Sequence, residues 1–187
     1  MASQKFNTKF QLAGYGGLTH TKHMIIPFFP RKIKKFIEPF AGLGRITELV
    51  KADEYYLNDK SDYAYNYLKN KFPNYVVENI DYVDFIKKHA TPDSFVFCDP
   101  PWRKNIYKNH ERPAFTEKNI ISYYDKLLEL LPTLNCQWII TSDRDEHENG
   151  HRLQKSGYNN VTMVNNDESI GTFFGRKPAV RLCGNVI

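Results

Sequence analysis

The chain has 187 residues, of which 41% are hydrophobic and 25% are charged. These proportions are ordinary for a soluble globular protein, and the length predicts one domain, 1–187, with a substantial core. No apolar run approaches the ~20 residues of a membrane-spanning helix, and the first residues lack the apolar segment of a secretory signal peptide. We therefore expect a cytoplasmic protein with no membrane partner.

The formal net charge is +5, which permits attraction to the phosphates of a nucleic acid. Cys98, Cys136 and Cys183 lie far apart in apolar stretches, so we expect reduced thiols rather than disulfides. No Cys/His spacing typical of zinc occurs, and His147 and His151 are interpreted as parts of a solvated loop. The sequence therefore predicts no metal site.

Taken in order, the chain begins with a glycine-rich loop, Gln11–Gly17, and an apolar segment, Thr21–Phe29, that is predicted to be helical before Pro27. A short strand at Phe36–Ile37 leads into Glu38-Pro-Phe-Ala-Gly-Leu-Gly44, and Arg45–Ala52 is predicted to be a helix. A strand, a glycine-bearing turn and a helix form the first unit of a nucleotide-binding α/β fold.

Two glycines of this turn, Gly42 and Gly44, allow the backbone to approach a ligand closely because they lack a Cβ atom. The turn does not have the GxGxxG pattern of dinucleotide enzymes, and the carboxylate of Glu38 would repel a pyrophosphate. Glu38 instead favours a ligand that carries positive charge or hydrogen-bond donors.

A second strand is predicted at Tyr55–Asp59, which ends in an acid 21 positions after Glu38. An acid at about this spacing can accept hydrogen bonds from the hydroxyls of a ribose. The alternative role of Asp59 is a helix N-cap or a turn residue. Together, the glycine turn and this acid predict a cofactor that contains a nucleoside.

The next elements are a helix at Ala64–Phe72 and a third strand at Tyr75–Val77. At the exit of that strand, Asp81 could accept a hydrogen bond from an adenine amine while Tyr82 packs on the ring. The alternative is that Asp81 is the N-cap of a helix over Tyr82–His89.

A fourth strand, Ser94–Cys98, leads into Asp99-Pro-Pro-Trp102. Consecutive prolines cannot continue a sheet ladder, so they predict a stiff, extended corner at the end of the strand. The corner offers a carboxylate, carbonyl groups and a flat ring, which suit a planar group that bears an amine. The alternative is a strand-ending turn with a core Trp.

A long basic segment, Arg103–Phe115, follows this corner, and segments of this length are commonly either functional or disordered. It is interpreted either as a clamp on substrate phosphates or as a disordered surface loop. The remaining predicted elements are a helix at Thr116–Leu131 and strands at Gln137–Thr141, Val161–Val164, Gly171–Phe174 and Ala179–Leu182. The sequence thus predicts an α/β fold with a mostly parallel sheet of about seven strands, a C-terminal antiparallel edge and helices on both faces.

Read together, these motifs resemble the DNA adenine N6-methyltransferase (Dam) family. Glu38-Pro-Phe-Ala-Gly-Leu-Gly44 is similar to the cofactor motif of that family, and Leu57-Asn-Asp59 is similar to its ribose-binding strand end. Asp81-Tyr82 takes the place of the adenine-binding pair, and Asp99-Pro-Pro-Trp102 matches the catalytic tetrapeptide. The loop around Tyr15 resembles the segment that closes over the methionine part of the cofactor.

The resemblance implies a Rossmann-like methyltransferase fold, S-adenosylmethionine as the cofactor, and transfer of a methyl group to the N6 amine of adenine in DNA. The implied catalytic residues are Asp99, Pro100, Pro101 and Trp102. The implied cofactor-binding residues are Tyr15, Gly16, Gly17, Glu38, Pro39, Phe40, Ala41, Gly42, Gly44, Asn58, Asp59, Asp81, Tyr82 and Asp99. The implied substrate-binding residues are Trp102, Arg103, Lys104, Lys108 and Arg112.

The chain departs from this family in three respects. The family usually carries a lysine shortly after the paired glycines of its loop, whereas here Leu18-Thr-His-Thr follows and Lys22 comes further on. Trp102 stands where Tyr is usual, and Trp at this place also occurs in RNA adenosine methyltransferases. The stretch from Tyr82 to Asp99 is too short for the family's target-recognition domain. The alternatives are therefore RNA adenosine N6-methylation, DNA cytosine N4-methylation, or an inactive cofactor-binding subunit. Because no target-recognition domain fits, the sequence also suggests a separate specificity subunit or a homodimer.

Overall fold

The computed structural model describes residues 25–101, 125–143, 162–167 and 170–175. The strands are β1 (Ile33–Glu38), β2 (Ala52–Asn58), β3 (Val76–Glu78), β4 (Ser94–Cys98), β5 (Gln137–Asp143), β6 (Thr162–Asp167) and β7 (Ile170–Gly175). They form one sheet in the order β3-β2-β1-β4-β5-β7-β6. The described helices are α1 (Asp62–Lys71) and α2 (Tyr82–His89), and residues 125–130 are also helical.

Strands β1 to β5 are parallel, as the sequence predicts. Ile37 of β1 lies beside Tyr56 of β2 on one side and beside Val96 of β4 on the other. Strand β7 runs antiparallel to β5, and β6 runs antiparallel to β7. The strand order reverses between β1 and β4, and ligands of open α/β sheets bind at the carboxyl ends of the strands at such a switch point.

The two faces of the sheet bury different side chains, because side chains alternate along a strand. One face carries Ile37 and Val96, which pack in a cluster with Phe85 of α2 and Leu127 of the helical segment 125–130. The other face carries Phe36, Phe95 and Phe97, which are in contact with residues that precede β1 and β2. Strand β4 is buried over its whole length, which explains its uninterrupted apolar sequence.

Helix α2 has the bounds that the sequence predicts. Its N-cap is Asp81, whose Oδ1 accepts a hydrogen bond of 2.9 Å from the backbone N–H of Val83. Helix α1 begins after Ser61, whose hydroxyl oxygen is 3.5 Å from the backbone nitrogen of Ala64. Side-chain acceptors at these positions satisfy N–H groups that the first turn of a helix leaves unpaired.

One helix prediction is wrong. The chain forms turns after Gly44, with a short 3-10 helix at Thr47–Leu49, and β2 already begins at Ala52. This leaves no room for the predicted helix at Arg45–Ala52. In the described part of Thr21–Phe29, Ile25 is α-helical, in agreement with the helix predicted before Pro27, and a 3-10 turn follows at Ile26–Phe28. Residues 21–24 lie outside the described residues.

The predicted strand Ala179–Leu182 lies outside the described residues, as do residues 116–124 of the predicted helix Thr116–Leu131. Of the helices described, none is long and apolar enough to cross a lipid bilayer. The described residues contain no group of three or more His, Cys, Asp or Glu side chains that could hold a metal ion.

Candidate functional site at the carboxyl edge of the sheet

The glycine turn lies directly after β1, at the carboxyl edge of the sheet. Gly42 and Gly44 have φ angles of 53° and 69°, which favour glycine because a Cβ atom is strained there. The backbone N–H of Ala41 donates to the carbonyl of Asn58 at 2.9 Å, and that of Gly44 donates to the carbonyl of Ala41 at 2.7 Å. These bonds hold the turn against the end of β2.

Asp59, the predicted ribose acceptor, lies beside this turn. Its Oδ2 accepts a hydrogen bond of 2.9 Å from the backbone N–H of Gly42, and its Oδ1 accepts one of 2.9 Å from the N–H of Ser61. The carboxylate therefore connects the glycine turn to the N-cap of α1. This arrangement fixes the carboxylate at the place where the sequence predicts a nucleoside.

Asn58 has a bracing role that the sequence analysis did not predict. Its side chain is buried, and its Nδ2 donates to the carbonyls of Pro39 and Ile80 at 3.1 and 3.2 Å. Its Oδ1 accepts a bond of 3.0 Å from the N–H of Ile80. One amide thus joins the loops that follow β1 and β3, on either side of β2.

Glu38 is the most deeply buried acid of the site, with 2% of its surface exposed. The hydroxyl of Thr47 donates a hydrogen bond to its Oε2. The pKa of the Glu38 carboxyl is raised to about 8, first by burial and also by the negative charges of Asp99 and Asp59, while the hydrogen bonds from Thr47 lower it. A ligand with positive charge at this edge would favour the ionised form.

Asp99 follows β4, the neighbour of β1, so its carboxyl group lies at the same edge as Glu38. The hydroxyl of Thr141, on β5, donates a hydrogen bond to Oδ1 of Asp99. Asp99 is partly exposed, Pro100 is buried and Pro101 is partly exposed. The effect of the Asp99 charge on the pKa of Glu38 indicates that the two acids face the same region.

The pair Asp81 and Tyr82 is placed at the start of α2. Asp81 is exposed and caps the helix, which is the alternative role weighed for it. Tyr82 is buried at 4% exposure, and its ring centroid lies 5.0 Å from that of Phe40 in the glycine turn. Tyr82 therefore packs against the glycine turn through its contact with Phe40.

The described part of the site brings together residues from the ends of four strands. It contains, of the predicted set, Glu38, Pro39, Phe40, Ala41, Gly42, Gly44, Asn58, Asp59, Asp81, Tyr82, Asp99, Pro100 and Pro101. The other predicted site residues lie outside the described residues: Tyr15, Gly16, Gly17, Trp102, Arg103, Lys104, Lys108 and Arg112. Thr47 and Thr141 were missed, because a lone Thr after or within an apolar segment has no distinctive pattern.

Solved structures with the same fold are found despite low sequence identity. A ribosomal protein L11 methylase from Lactobacillus delbrueckii subsp. bulgaricus aligns with a TM-score of 0.59 and 11% identity, over 86% of this chain and 79% of that one. The N-methyltransferase NodS from Bradyrhizobium japonicum WM9, in complex with S-adenosyl-L-homocysteine, aligns with a TM-score of 0.55 and 13% identity, over 88% of each chain. An rRNA methylase from Streptococcus thermophilus aligns with a TM-score of 0.51 and 11% identity, over 85% of this chain and 97% of that one.

The chain has the Rossmann-like methyltransferase fold. No family pattern matches the chain, and no curated protein matches it in sequence. In this methyltransferase fold, the glycine turn, Asp59 and Asp99 occupy the carboxyl edge where open α/β sheets bind their ligands.

Proposed function

We propose that the chain is an S-adenosylmethionine-dependent methyltransferase that acts on the exocyclic N6 amine of adenine in DNA. The observation that carries the proposal is the position of Asp99, on the strand next to the one that ends in Glu38 and the glycine turn. Asp99, the proposed acceptor for the amine, thus follows the strand beside β1, whose end carries the proposed site for a positively charged cofactor.

The described residues fit the cofactor in charge and in shape. S-adenosylmethionine supplies a methyl group on a positively charged sulfur. Asp59 and Asp99 place negative charge at the edge where that sulfur would lie, and a bound cation would favour ionisation of Glu38 as well. Asp59 is proposed to accept hydrogen bonds from the ribose hydroxyls, and Gly42 allows the backbone to approach the ligand. Tyr15, Gly16 and Gly17 are proposed to cover the methionine part.

Asp99 and the carbonyl of Pro100 are proposed to accept the two N–H groups of the target amine. The lone pair of an adenine amine is delocalised into the ring, and these acceptors draw the nitrogen towards tetrahedral geometry. S-adenosylmethionine at the glycine turn would supply the methyl group and would leave as the neutral thioether, and Asp99 would accept the surplus proton of the nitrogen. Positioning of this kind can contribute ~7–11 kcal/mol to catalysis.

The nucleic-acid contacts are proposed from the sequence. Trp102 would stack on the target base, which is worth roughly 1–3 kcal/mol in single-strand binders. Arg103, Lys104, Lys108 and Arg112 would contact phosphates. A duplex would have to extrude its target base, so a single strand or a distorted site is the easier substrate. A separate specificity subunit or a second copy would supply the missing recognition of sequence.

The test is transfer of a radioactive methyl group from S-adenosylmethionine to DNA and RNA oligonucleotides that contain or lack adenine. We expect incorporation only into adenine-containing DNA. Asp99→Ala should abolish transfer, while calorimetry still detects cofactor binding. The matched control is Asp84→Ala, which removes an exposed acid of α2.

Each other outcome contradicts part of the proposal. Incorporation into RNA alone, or into cytosine alone, would show that the substrate is not adenine in DNA. Cofactor binding without transfer to any pool would identify an inactive subunit. Full activity of Asp99→Ala would remove Asp99 from the mechanism.

A further inference from the structure

A broad cleft lies at the opposite edge of the sheet from the candidate site. Its walls are Arg31–Lys34, Lys51–Asp53, Pro92–Phe95 and Asn135–Gln137, and its volume is about 700 Å³. These segments contain the first residues of β1, β2, β4 and β5. We call it the amino-edge cleft. It is separated from Asp99 by the length of β4, which is roughly 17 Å for five residues.

The cleft collects basic side chains from two separate parts of the chain. Arg31, Lys32 and Lys34 come from the segment that enters β1, and Lys51 comes from the residue before β2. All four are exposed. Folding thus gathers cations that the sequence alone would place on an ordinary solvated surface.

The acids in the cleft neutralise only part of this charge. Nζ of Lys34 forms an ion pair of 2.5 Å with Oδ2 of Asp93, and Asp53 is the other carboxylate of the cleft walls. In the part of the chain that the structure describes, the side chains of Arg31, Lys32 and Lys51 form neither a hydrogen bond nor an ion pair. Three cations are therefore available to a ligand that brings several negative charges.

A nucleic-acid strand fits this arrangement better than a compact anion does. The cations come from two separate segments of a cleft of about 700 Å³, which is larger than a compact anion needs and suits the regularly spaced phosphates of a polymer. The side chains of Asn135 and Gln137 add amide donors and acceptors on the wall. Phosphate contacts of this kind position a nucleic acid without reading its sequence.

We propose that the amino-edge cleft is a second contact site for the substrate nucleic acid, which holds the phosphates of a strand whose target base is at the carboxyl edge. The identity of the polymer rests on the proposed function, whereas the preference for a polyanion rests on the cleft itself. A strand in both sites must span at least ~17 Å, or about five nucleotides at 3.4 Å each. Long substrates therefore gain from the cleft and very short ones do not.

The test compares two triple variants with equal loss of charge. The cleft variant is Arg31→Gln/Lys32→Gln/Lys51→Gln, and the control is Lys69→Gln/Lys87→Gln/Lys126→Gln, at exposed positions of the helical segments. Fluorescence anisotropy measures binding of a single-stranded DNA of about 20 nucleotides over a series of salt concentrations. Removal of three phosphate contacts should reduce the slope of log K against log salt by about 2 and weaken binding about 100-fold at ~0.1 M salt.

The control should keep the slope of the wild type. Equal losses in both variants, or an unchanged slope in the cleft variant, would overturn the proposal. So would weaker binding of polyglutamate with unchanged binding of DNA, because that result would assign the cleft to an acidic protein. None of these measurements requires methyl transfer. The proposal for the cleft can therefore be refuted while the proposed activity stands, and the proposed activity can be refuted while the cleft still binds nucleic acid. Where transfer is detected, the cleft variant should raise KM for the long DNA but not for one of about four nucleotides.

Discussion

The hydroxyl of Thr141 donates a hydrogen bond to Oδ1 of Asp99, across the boundary between β5 and β4. The register of the two strands places Ile140 beside Cys98, so Thr141 stands level with Asp99. Thr141 is completely buried on a central strand. A buried side chain on a central strand therefore helps to orient the carboxylate.

Thr141→Val is expected to reduce methyl transfer while leaving cofactor affinity close to that of the wild type. A hydrogen bond to a charged group contributes ~1.5–3 kcal/mol, which corresponds to roughly 10- to 150-fold in kcat if the bond is needed in the transition state. Steady-state kinetics and calorimetry measure the two quantities. Thr141→Ser keeps the hydroxyl and should recover most of kcat. An equal loss in both variants would show that packing, and not the bond, matters.

The stability of the protein is expected to fall as pH rises from about 4.5 to about 8 because of Glu38. The pKa of its carboxyl is raised to about 8, first by burial, so in this range the folded chain holds a proton that the unfolded chain has lost. The free energy of unfolding then falls by up to about 1.4 kcal/mol per pH unit. Glu38→Gln should remove this contribution, and Asp53→Asn, at an exposed acid, should not. Denaturant titrations at several pH values measure the effect, and parallel curves for Glu38→Gln and the wild type would contradict it.

Gly44→Ala is expected to destabilise the fold for two separable reasons. A Cβ atom there would lie 2.5 Å from Cε2 of Phe72, and the backbone has a φ of +69°. The unfavourable φ alone costs about 1–2 kcal/mol. Adding Phe72→Leu to the variant should relieve the collision but leave the cost of the backbone conformation. Thermal unfolding should therefore rank the double variant between Gly44→Ala and Phe72→Leu, and a Gly44→Ala protein as stable as the wild type would refute the geometry.

Asn58→Ala is expected to loosen the glycine turn and the segment before α2 together. It removes hydrogen bonds to the carbonyl of Pro39 and to both backbone groups of Ile80, and each buried group left unpaired costs about 1–3 kcal/mol. Cofactor affinity should fall along with stability. Asn74→Ala, at an exposed position, serves as the control for loss of an amide. Hydrogen exchange should show faster exchange at both segments, and a change at only one would contradict the link.

Strands and helices with a strong local pattern could be predicted from the sequence. Ser94–Cys98 is an uninterrupted apolar run that ends at two prolines, and Tyr82–His89 begins after an Asp that caps it; both have the predicted bounds. The parallel order follows from alternating strands and helices. The acids and glycines that follow β1, β2 and β4 could be assigned to one edge of the sheet, because the carboxyl ends of parallel strands meet there.

The details that depend on partners distant in sequence could not be predicted. Nothing near Thr47 or Thr141 in the sequence shows that the first donates to Glu38 of β1 and the second to Asp99 after β4. The segment Arg45–Ala52 has a helical composition, but β2 must begin at Ala52 to pair with Ile33, so the chain turns instead. The amino-edge cleft likewise arises only when Lys51 is placed near Arg31 and Lys32.

The three acids around the glycine turn also bear on how a spent cofactor would leave. If the chain binds S-adenosylmethionine as proposed, Glu38, Asp59 and Asp99 would attract its positively charged sulfur, which would become a neutral thioether after transfer. The proposed reaction would thus weaken the attraction that retained the cofactor, and Glu38 would regain its proton. Turnover would then be quickest where exchange of product for fresh cofactor is coupled to proton uptake by this one buried side chain.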